Sequence, residues 1–184
     1  ASDFGAADAS RLSARLALGA SDLGAALRWA ASRAGTRYER LLLVTDGVAT
    51  AGETEAEKIV LAARELAGAG VKRLDVLAVG GLRDDASLRR LVTAGLERDG
   101  TVCDGDLPLS EIGRKLLGAT RSGIVVEVPG ASWVWPSRLD GVQPGDSALV
   151  YADVPPEKPV RVLLDGKPVG GGDPALEPVE RPLL

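Results

Sequence analysis

The stretch from Leu41 to Gly47 constrains the fold of this chain more than any other. It reads Leu-Leu-Leu-Val-Thr-Asp-Gly, so four aliphatic residues in a row are followed by a polar turn. A short aliphatic run of this kind is typical of a strand in a parallel sheet, buried on both faces. We therefore predict a buried strand over 41–45 that presents the carboxylate of Asp46 at the edge of a sheet.

Segments with a helical period alternate with further aliphatic runs on both sides of this strand. Ser21 or Asp22 can cap a helix with an apolar stripe, and Thr54 with Glu57 forms a Thr-x-x-Glu capping box for another. The predicted elements are a helix from about 22 to 33, the strand 41–45, a helix from 54 to 67, a strand over 74–79, a helix from 84 or 85, a strand near 101–103 and a helix over 109–117. Such alternation requires parallel pairing through crossover connections. Residues 1–120 are thus predicted to form an α/β domain with a doubly wound, mostly parallel sheet and helices on both faces.

The pattern changes near residue 120, where helical periodicity gives way to short alternating strands. Apolar residues alternate from Ile124 to Val128, and Asp165-Gly166 is a strong signal for a two-residue hairpin. Most of the 11 prolines of the chain lie in this region, which suits edge strands and turns. We predict a small antiparallel all-β region over 121–184 that leans on the first domain, with Trp133 and Trp135 as packing anchors.

Composition excludes several classes of function. With 22 basic and 26 acidic residues the formal charge is −4, and no basic cluster is present, so nucleic acid is not an expected partner. The chain has no His, which removes Ser-His-Asp chemistry and His-based metal sites. No stretch approaches the roughly 20 apolar residues of a membrane span, so a soluble chain is expected. The single Cys103 is expected to be a buried structural thiol.

Two motifs in fixed order resemble parts of a known domain. Residues 19–27 read Gly-Ala-Ser-Asp-Leu-Gly-Ala-Ala-Leu, and 43–47 read Leu-Val-Thr-Asp-Gly. They resemble the second and third loops of the metal-ion-dependent adhesion site in von Willebrand factor type A domains. More narrowly, the chain is similar to bacterial proteins that carry such a domain behind a vault/inter-alpha-trypsin inhibitor (VIT) module. The resemblance implies that Ser21 and Asp46 ligate Mg²⁺, or else Mn²⁺ or Ca²⁺, and that an acidic side chain of a protein partner completes the site.

The chemistry of these residues agrees with that implication. A hydroxyl and a carboxylate from adjacent loops form a sensible part of the shell of a hard cation, and open parallel sheets bind ligands at the carboxyl ends of their strands. Asp22, Thr45 and Glu53 are candidates to support the ion indirectly, Glu53 through a water. Simpler roles stay open, because Asp46 can accept backbone N–H bonds in its own loop, and Ser21 or Asp22 can cap a helix.

One part of the family pattern is missing. The first loop of the adhesion site, Asp-x-Ser-x-Ser, has no counterpart ahead of Ser21, since Asp8-Ala9-Ser10 is followed by Leu12 at the next matching position. We expect that Ala1 begins inside the domain and that the first strand, the first helix and the second strand lie upstream or on another chain. The sheet would then have an open edge, which would pair with its own upstream fragment or with a second copy.

The β region carries a second, looser similarity to the same bacterial proteins. Trp133-Val134-Trp135-Pro136, then Gln143-Pro144-Gly145 and a strand over 149–151, are similar to the β segment that follows their A domain. The compartment stays open, with an extracytoplasmic or cell-surface parent protein among the options.

Three functions remain open from the sequence. The first is a non-enzymatic protein-interaction or adhesion module with an incomplete cation site. The second is an assembly scaffold without a functional ion. The third is a phospho-accepting domain of the receiver type that uses Asp46. Such a domain needs an acidic pair on an earlier strand and a Lys at a later strand end, whereas Lys72 precedes its strand and Lys167 lies in the β region.

Overall fold

The structure is a computed structural model that describes residues 5–15, 19–155 and 158–169. The first part of the chain contains α1 (Ala6–Ser13), α2 (Leu23–Ala34), a 3₁₀ turn (Gly35–Arg37), β1 (Arg40–Thr45), α3 (Ala56–Gly68), β2 (Arg73–Ala78), α4 (Asp85–Val92), β3 (Val102–Asp104) and α5 (Leu109–Leu117). The second part contains β4 (Ile124–Glu127), β5 (Trp133–Trp135), β6 (Arg138–Leu139), β7 (Tyr151–Asp153), β8 (Leu163–Leu164) and β9 (Lys167–Pro168).

The first three strands form a parallel sheet in the order β1-β2-β3. Each strand is followed by a helix, as parallel connections require. In the register Leu41 lies beside Leu74, and Leu43 beside Val76. The prediction of an α/β region is confirmed at this level, since a parallel sheet flanked by helices precedes small antiparallel sheets.

One face of this sheet carries the main hydrophobic core. Leu74 and Val76 of β2 are fully buried, and with them Leu27 of α2, Leu66 of α3 and Leu88 of α4 are almost fully withdrawn from solvent. All of these residues belong to one cluster. The three helices are therefore fixed to the sheet by the apolar stripes that their helical spacing predicted.

The prediction that β1 is buried on both faces is wrong. Alternate residues of β1 are exposed, because Leu42 and Val44 retain 45% and 56% of their accessible surface. Among the described residues β1 pairs only with β2, so it is an edge strand, and β2 is the buried centre of the sheet. An aliphatic run shows that a strand is hydrophobic, but it does not show how many neighbours that strand has.

The other face of the sheet carries a buried ion network. Asp75 of β2, 1% exposed, accepts hydrogen bonds from Arg40 Nε at 2.6 Å, Arg73 Nε at 2.9 Å and Thr101 N at 2.9 Å. Arg73 Nη1 also donates to the carbonyl of Gly118 at 2.8 Å, and Arg40 Nη2 donates to the carbonyl of Leu116. The two arginines thereby tie the C-terminal end of α5 to this face.

The second part of the chain consists of two small antiparallel sheets, with orders β6-β4-β8-β9 and β5-β7. The hairpin at Asp165-Gly166 is confirmed, because Leu164 pairs with Lys167 and both turn residues have positive φ, 50° and 73°. This is the backbone that a two-residue hairpin of type I′ needs. The division into 1–120 and 121–184 stays a prediction.

Two local predictions are wrong, one on the packing of two tryptophans and one on a helix cap. Trp133 and Trp135 are 55% and 58% exposed, so they do not anchor the β region. Helix α3 has Glu55 at its N-cap and makes no side-chain cap hydrogen bond, so Thr54 and Glu57 do not form a capping box.

Polar contacts near the end of α5 attach the β region to the α/β part. Gln143 Nε2 donates to the carbonyl of Lys115 at 2.8 Å, and Lys115 Nζ lies 2.5 Å from Asp146 Oδ1. Within the described ranges, none of the helices is long and apolar enough to cross a membrane.

Candidate functional site

The carboxyl edge of the parallel sheet is where the predicted site residues lie. β1, β2 and β3 end at Thr45, Ala78 and Asp104, and the parallel register brings these three ends to the same edge. Ligands of open α/β sheets bind at this edge. The loop after β1 contains Asp46, as the sequence predicted.

The Thr-Asp-Gly turn after β1 is closed by its own side chains. Asp46 is half-buried, and its Oδ1 accepts a hydrogen bond from the backbone N–H of Val48 at 3.0 Å. Thr45 Oγ1 accepts from the backbone N–H of Gly47 at 3.1 Å. Side-chain oxygens that accept bonds two residues onward form local turns. One carboxylate oxygen of Asp46 is thus used locally, and Thr45 supports the turn.

Gly47 is required by both its backbone and its surroundings. Its φ of 84° is a backbone conformation that residues other than glycine rarely adopt. A Cβ atom at this position would lie 2.8 Å from Leu88 Cδ2. The turn is also tied to the next loop, because the N–H of Asp84 donates to the carbonyl of Asp46 at 3.0 Å. These contacts fix the backbone from which the Asp46 side chain projects.

Ser21 is held against the loop that follows β1 by three hydrogen bonds. Its N–H donates to Thr50 Oγ1 at 2.8 Å, and its carbonyl accepts from the N–H groups of Thr50 and Ala51 at 3.0 and 3.2 Å. Ser21 itself is exposed. The entry to α2 and the loop after Asp46 therefore form one bonded unit at the edge of the sheet.

Asp22 caps α2, as the sequence allowed. Its Oδ1 accepts from the N–H of Ala25 at 2.8 Å, and a Cβ atom at Gly52 would overlap its Oδ2 at 2.1 Å. Glu53 lies on the same loop, with its Oε2 3.6 Å from Arg28 Nη1. Asp22 thus caps the N-terminus of α2, and Glu53 is paired with the guanidinium group of Arg28 in the same helix.

The structure brings the Ser21 segment and the Asp46 loop into direct contact through Thr50, but it does not gather a cluster of acids. Within the part of the chain that the structure describes, no group of three or more Asp, Glu, Cys or His side chains could hold a metal ion. A cation here would have to rely on a hydroxyl, one carboxylate and waters. Mg²⁺ accepts such a set, because it retains several waters.

Sequence reasoning missed two features of this edge. Thr50 links the two loops, and nothing in a loop read as Val-Ala-Thr-Ala marks it as a bridging residue. Arg83 spans the ends of β2 and β3, since its Nη1 donates to the carbonyl of Ala78 at 3.4 Å and to Asp104 Oδ1 at 2.7 Å. Its Nη2 also donates to Asp106 Oδ2 at 3.3 Å. The hydrogen bond from Arg83 lowers the pKa of Asp104 below its usual value. An acid directly after a strand, as Asp104 is, was the available signal.

The carboxylate of Asp84 also lies near this edge, at the start of α4. Its Oδ1 accepts from the N–H of Ser87 at 3.0 Å, and this backbone hydrogen bond lowers the pKa of Asp84. Asp84 is therefore the N-cap of α4, at the start of 84 or 85 that the sequence predicted for this helix.

A comparison of the sequence with models of known protein families finds no match, and no match is found among curated proteins. The family resemblance given above therefore rests on its motifs and their order alone.

Proposed function

We propose that this chain is a non-enzymatic protein-interaction module of the von Willebrand A type, in which Ser21 and Asp46 hold a divalent cation. A carboxylate from a protein partner completes the shell of that ion. The observation that supports this proposal is the bonding of Ser21 to Thr50, at 2.8 and 3.0 Å. That contact joins the hydroxyl-bearing segment to the loop of the carboxylate at the edge where open α/β sheets bind ligands.

The donor set suits a hard cation. Asp46 Oδ1 accepts the N–H of Val48, which orients the carboxylate while its second oxygen has no part in that bond. Ser21 contributes a hydroxyl, and waters and the partner supply the remaining ligands. Three residues support the site without being ligands in this proposal. Asp22 fixes the start of α2, Thr45 fixes the turn at Gly47, and Glu53 ties the following loop to α2.

Substitution of Asp46 by Asn tests the site without breaking its turn. An Asn side chain retains an oxygen that can accept the N–H of Val48, but it loses the charge. We expect the affinity of the 1–184 chain for Mn²⁺, measured by isothermal titration and by electron paramagnetic resonance, to fall at least about tenfold. Ser21→Ala should lower it by a smaller factor, because a hydroxyl is the weaker ligand.

Asp84→Asn is the matched control. It removes the same charge from a neighbouring loop at the same edge, while an Asn cap retains its hydrogen bond to Ser87. Its Mn²⁺ affinity should stay within about twofold of the unsubstituted chain, a difference of only about 0.4 kcal/mol. Equal Mn²⁺ binding by the Asp46 and Asp84 variants, or no binding by any form, would refute the metal role.

A specific observation favours a second candidate, an assembly scaffold that needs no ion. β1 pairs only with β2 among the described residues, and its Leu42 and Val44 expose 45% and 56% of their surface. An aliphatic edge strand without Lys or Pro is a template for another strand. In this candidate β1 pairs with a second copy or with an upstream segment of its own protein.

A charge on β1 tests the scaffold. We expect the 1–184 chain to self-associate with rising concentration in sedimentation velocity, and Val44→Lys to shift it toward monomer without metal dependence. Val125→Lys is the control, because Val125 is 47% exposed but lies on β4 of the other sheet. The scaffold is refuted if the Val44 and Val125 variants associate alike, or if every form is monomeric.

A further inference from the structure

The β region contains a half-open cavity that the proposed function does not use. Its volume is about 840 Å³, which falls within the range of roughly 300 to 1,000 Å³ of sites for small molecules. Its walls are formed largely by aliphatic side chains from β4, β6, β8 and the segments 142–150 and 160–162. Ile124, Leu139, Val150, Val162 and Leu164 are among them. The cavity is thus shaped and lined for a mainly apolar guest.

The charged groups in its lining favour an anion. Arg121 and Arg161 both line the cavity, together with one acid, Asp146. That acid is already neutralised, because Lys115 Nζ lies 2.5 Å from its Oδ1 and the N–H of Gln143 donates to its Oδ2 at 2.8 Å. The two guanidinium groups are therefore the charges that a guest would meet.

Among the residues that the structure describes, neither guanidinium has a strong partner. Arg121 Nη2 approaches Asp165 Oδ2 only to 3.5 Å, and both side chains of that pair are well exposed. Exposed pairs of this kind are weak. Arg161 is exposed as well. Arginine pairs with carboxylates through two parallel hydrogen bonds, which makes it the preferred residue for anionic head groups.

We infer that this cavity binds an amphipathic anion, an unbranched alkyl chain that ends in a carboxylate. The alkyl chain lies along the aliphatic walls, and the carboxylate binds Arg121 and Arg161 at the rim. This site is independent of Ser21 and Asp46, so its failure would leave the proposed function untouched.

Dodecanoate, decanoate and octanoate are the probes, titrated into the 1–184 chain by calorimetry below their micelle concentrations. Burial of one methylene contributes about 0.8 kcal/mol. Each methylene that enters the cavity should therefore lower the dissociation constant about fourfold. Dodecanol, which has the same chain without the charge, should bind about tenfold more weakly than dodecanoate, because hydrogen bonds to a charged group are the stronger ones.

Arg161→Gln and Arg121→Gln should each weaken dodecanoate binding about tenfold and reduce its advantage over dodecanol. Arg138→Gln is the matched control, an exposed arginine of β6 outside the cavity lining, and it should leave binding unchanged. All three side chains are exposed, so loss of folding is not expected from these substitutions.

Three results would overturn the inference. The first is binding that is insensitive to alkyl length and to Arg121 and Arg161. The second is binding that appears only after residues 170–184 are removed, which would assign the cavity to the chain itself. The third is a dodecanoate affinity that falls as protein concentration rises, which would assign the cavity to a second copy.

Discussion

Removal of the Asp75 carboxylate should lower the free energy of unfolding more than any other substitution considered for this protein. Asp75 is 1% exposed and accepts hydrogen bonds from Arg40, Arg73 and Thr101, at 2.6, 2.9 and 2.9 Å. Arg73 is itself only 8% exposed. Asp75→Ala would leave a buried guanidinium without its counter-ion and the N–H of Thr101 without its acceptor.

The magnitude follows from the burial of these partners. Breaking a buried ion pair by removing one member costs about 3–5 kcal/mol, because the other charge stays buried and uncompensated. The lost acceptor of Thr101 is part of the same network, so its cost does not add in full. Asp75→Asn retains an acceptor oxygen but loses the charge, and it should cost about 2 kcal/mol. Arg40→Gln should cost about 1 kcal/mol or less, because the Arg40 side chain is 39% exposed.

Urea denaturation followed by circular dichroism measures these differences as changes in the free energy of unfolding. For a chain of 184 residues, the Asp75→Ala cost corresponds to a drop in Tm of about 6–20 °C. Asp104→Ala is the control, since Asp104 also pairs with an arginine but is 46% exposed. If Asp75→Ala and Asp104→Ala lower stability equally, the buried network does not stabilise the fold and the reasoning is refuted.

Two further expectations concern packing around β2 and β3. Gly100→Ala should destabilise the protein by about 2–3 kcal/mol, because the added Cβ would lie 1.7 Å from the carbonyl oxygen of Leu74. Gly113→Ala in α5 should instead stabilise it by about 0.5–1 kcal/mol, because nothing lies within 4 Å of the added Cβ. Urea midpoints that move in the same direction for both would contradict this. Cys103 is fully buried, and burial raises the pKa of its thiol. Less of the reactive thiolate is therefore present at pH 8 in the folded protein. A thiol reagent should react on the order of 100-fold more slowly with the native chain than with the urea-unfolded chain. Equal rates would show that Cys103 is accessible.

Local signals in the sequence predicted much of this fold. The caps at Asp22 and Asp84 are where capping chemistry puts them. The predicted helix over 109–117 begins directly after Pro108, and proline is favoured at the start of a helix. The Asp165-Gly166 hairpin is equally local. In each case a few adjacent residues determine the outcome, because the hydrogen bonds that stabilise the element lie within it. Thr54 and Glu57 match the same kind of signal, yet α3 begins at Ala56 without a side-chain cap.

Contacts between particular side chains that are distant in sequence could not be predicted. The partners of Asp75 lie 35 positions before it, in Arg40, and 26 positions after it, in Thr101. Trp133 and Trp135 have the bulk of anchors, but both lie on the outward face of a two-stranded ribbon, where Trp135 meets Tyr151 with ring centroids 5.9 Å apart. Side-chain size gives no information on which face of a strand a neighbour covers.

The position of β1 at the edge connects the two candidate functions. Adjacent strands lie about 4.8 Å apart, so a parallel strand added beside β1 would end next to Asp46, and the residues after that strand would enter the space around its carboxylate. Assembly through Leu42 and Val44 would therefore bring new side chains to the same edge that Ser21 and Thr50 border. One added strand would then supply a second neighbour for β1, which pairs only with β2 among the described residues. The same strand would bring further oxygen ligands to a cation at Asp46. In that geometry strand pairing at β1 and cation binding at Asp46 would be coupled, because both would depend on the same added strand.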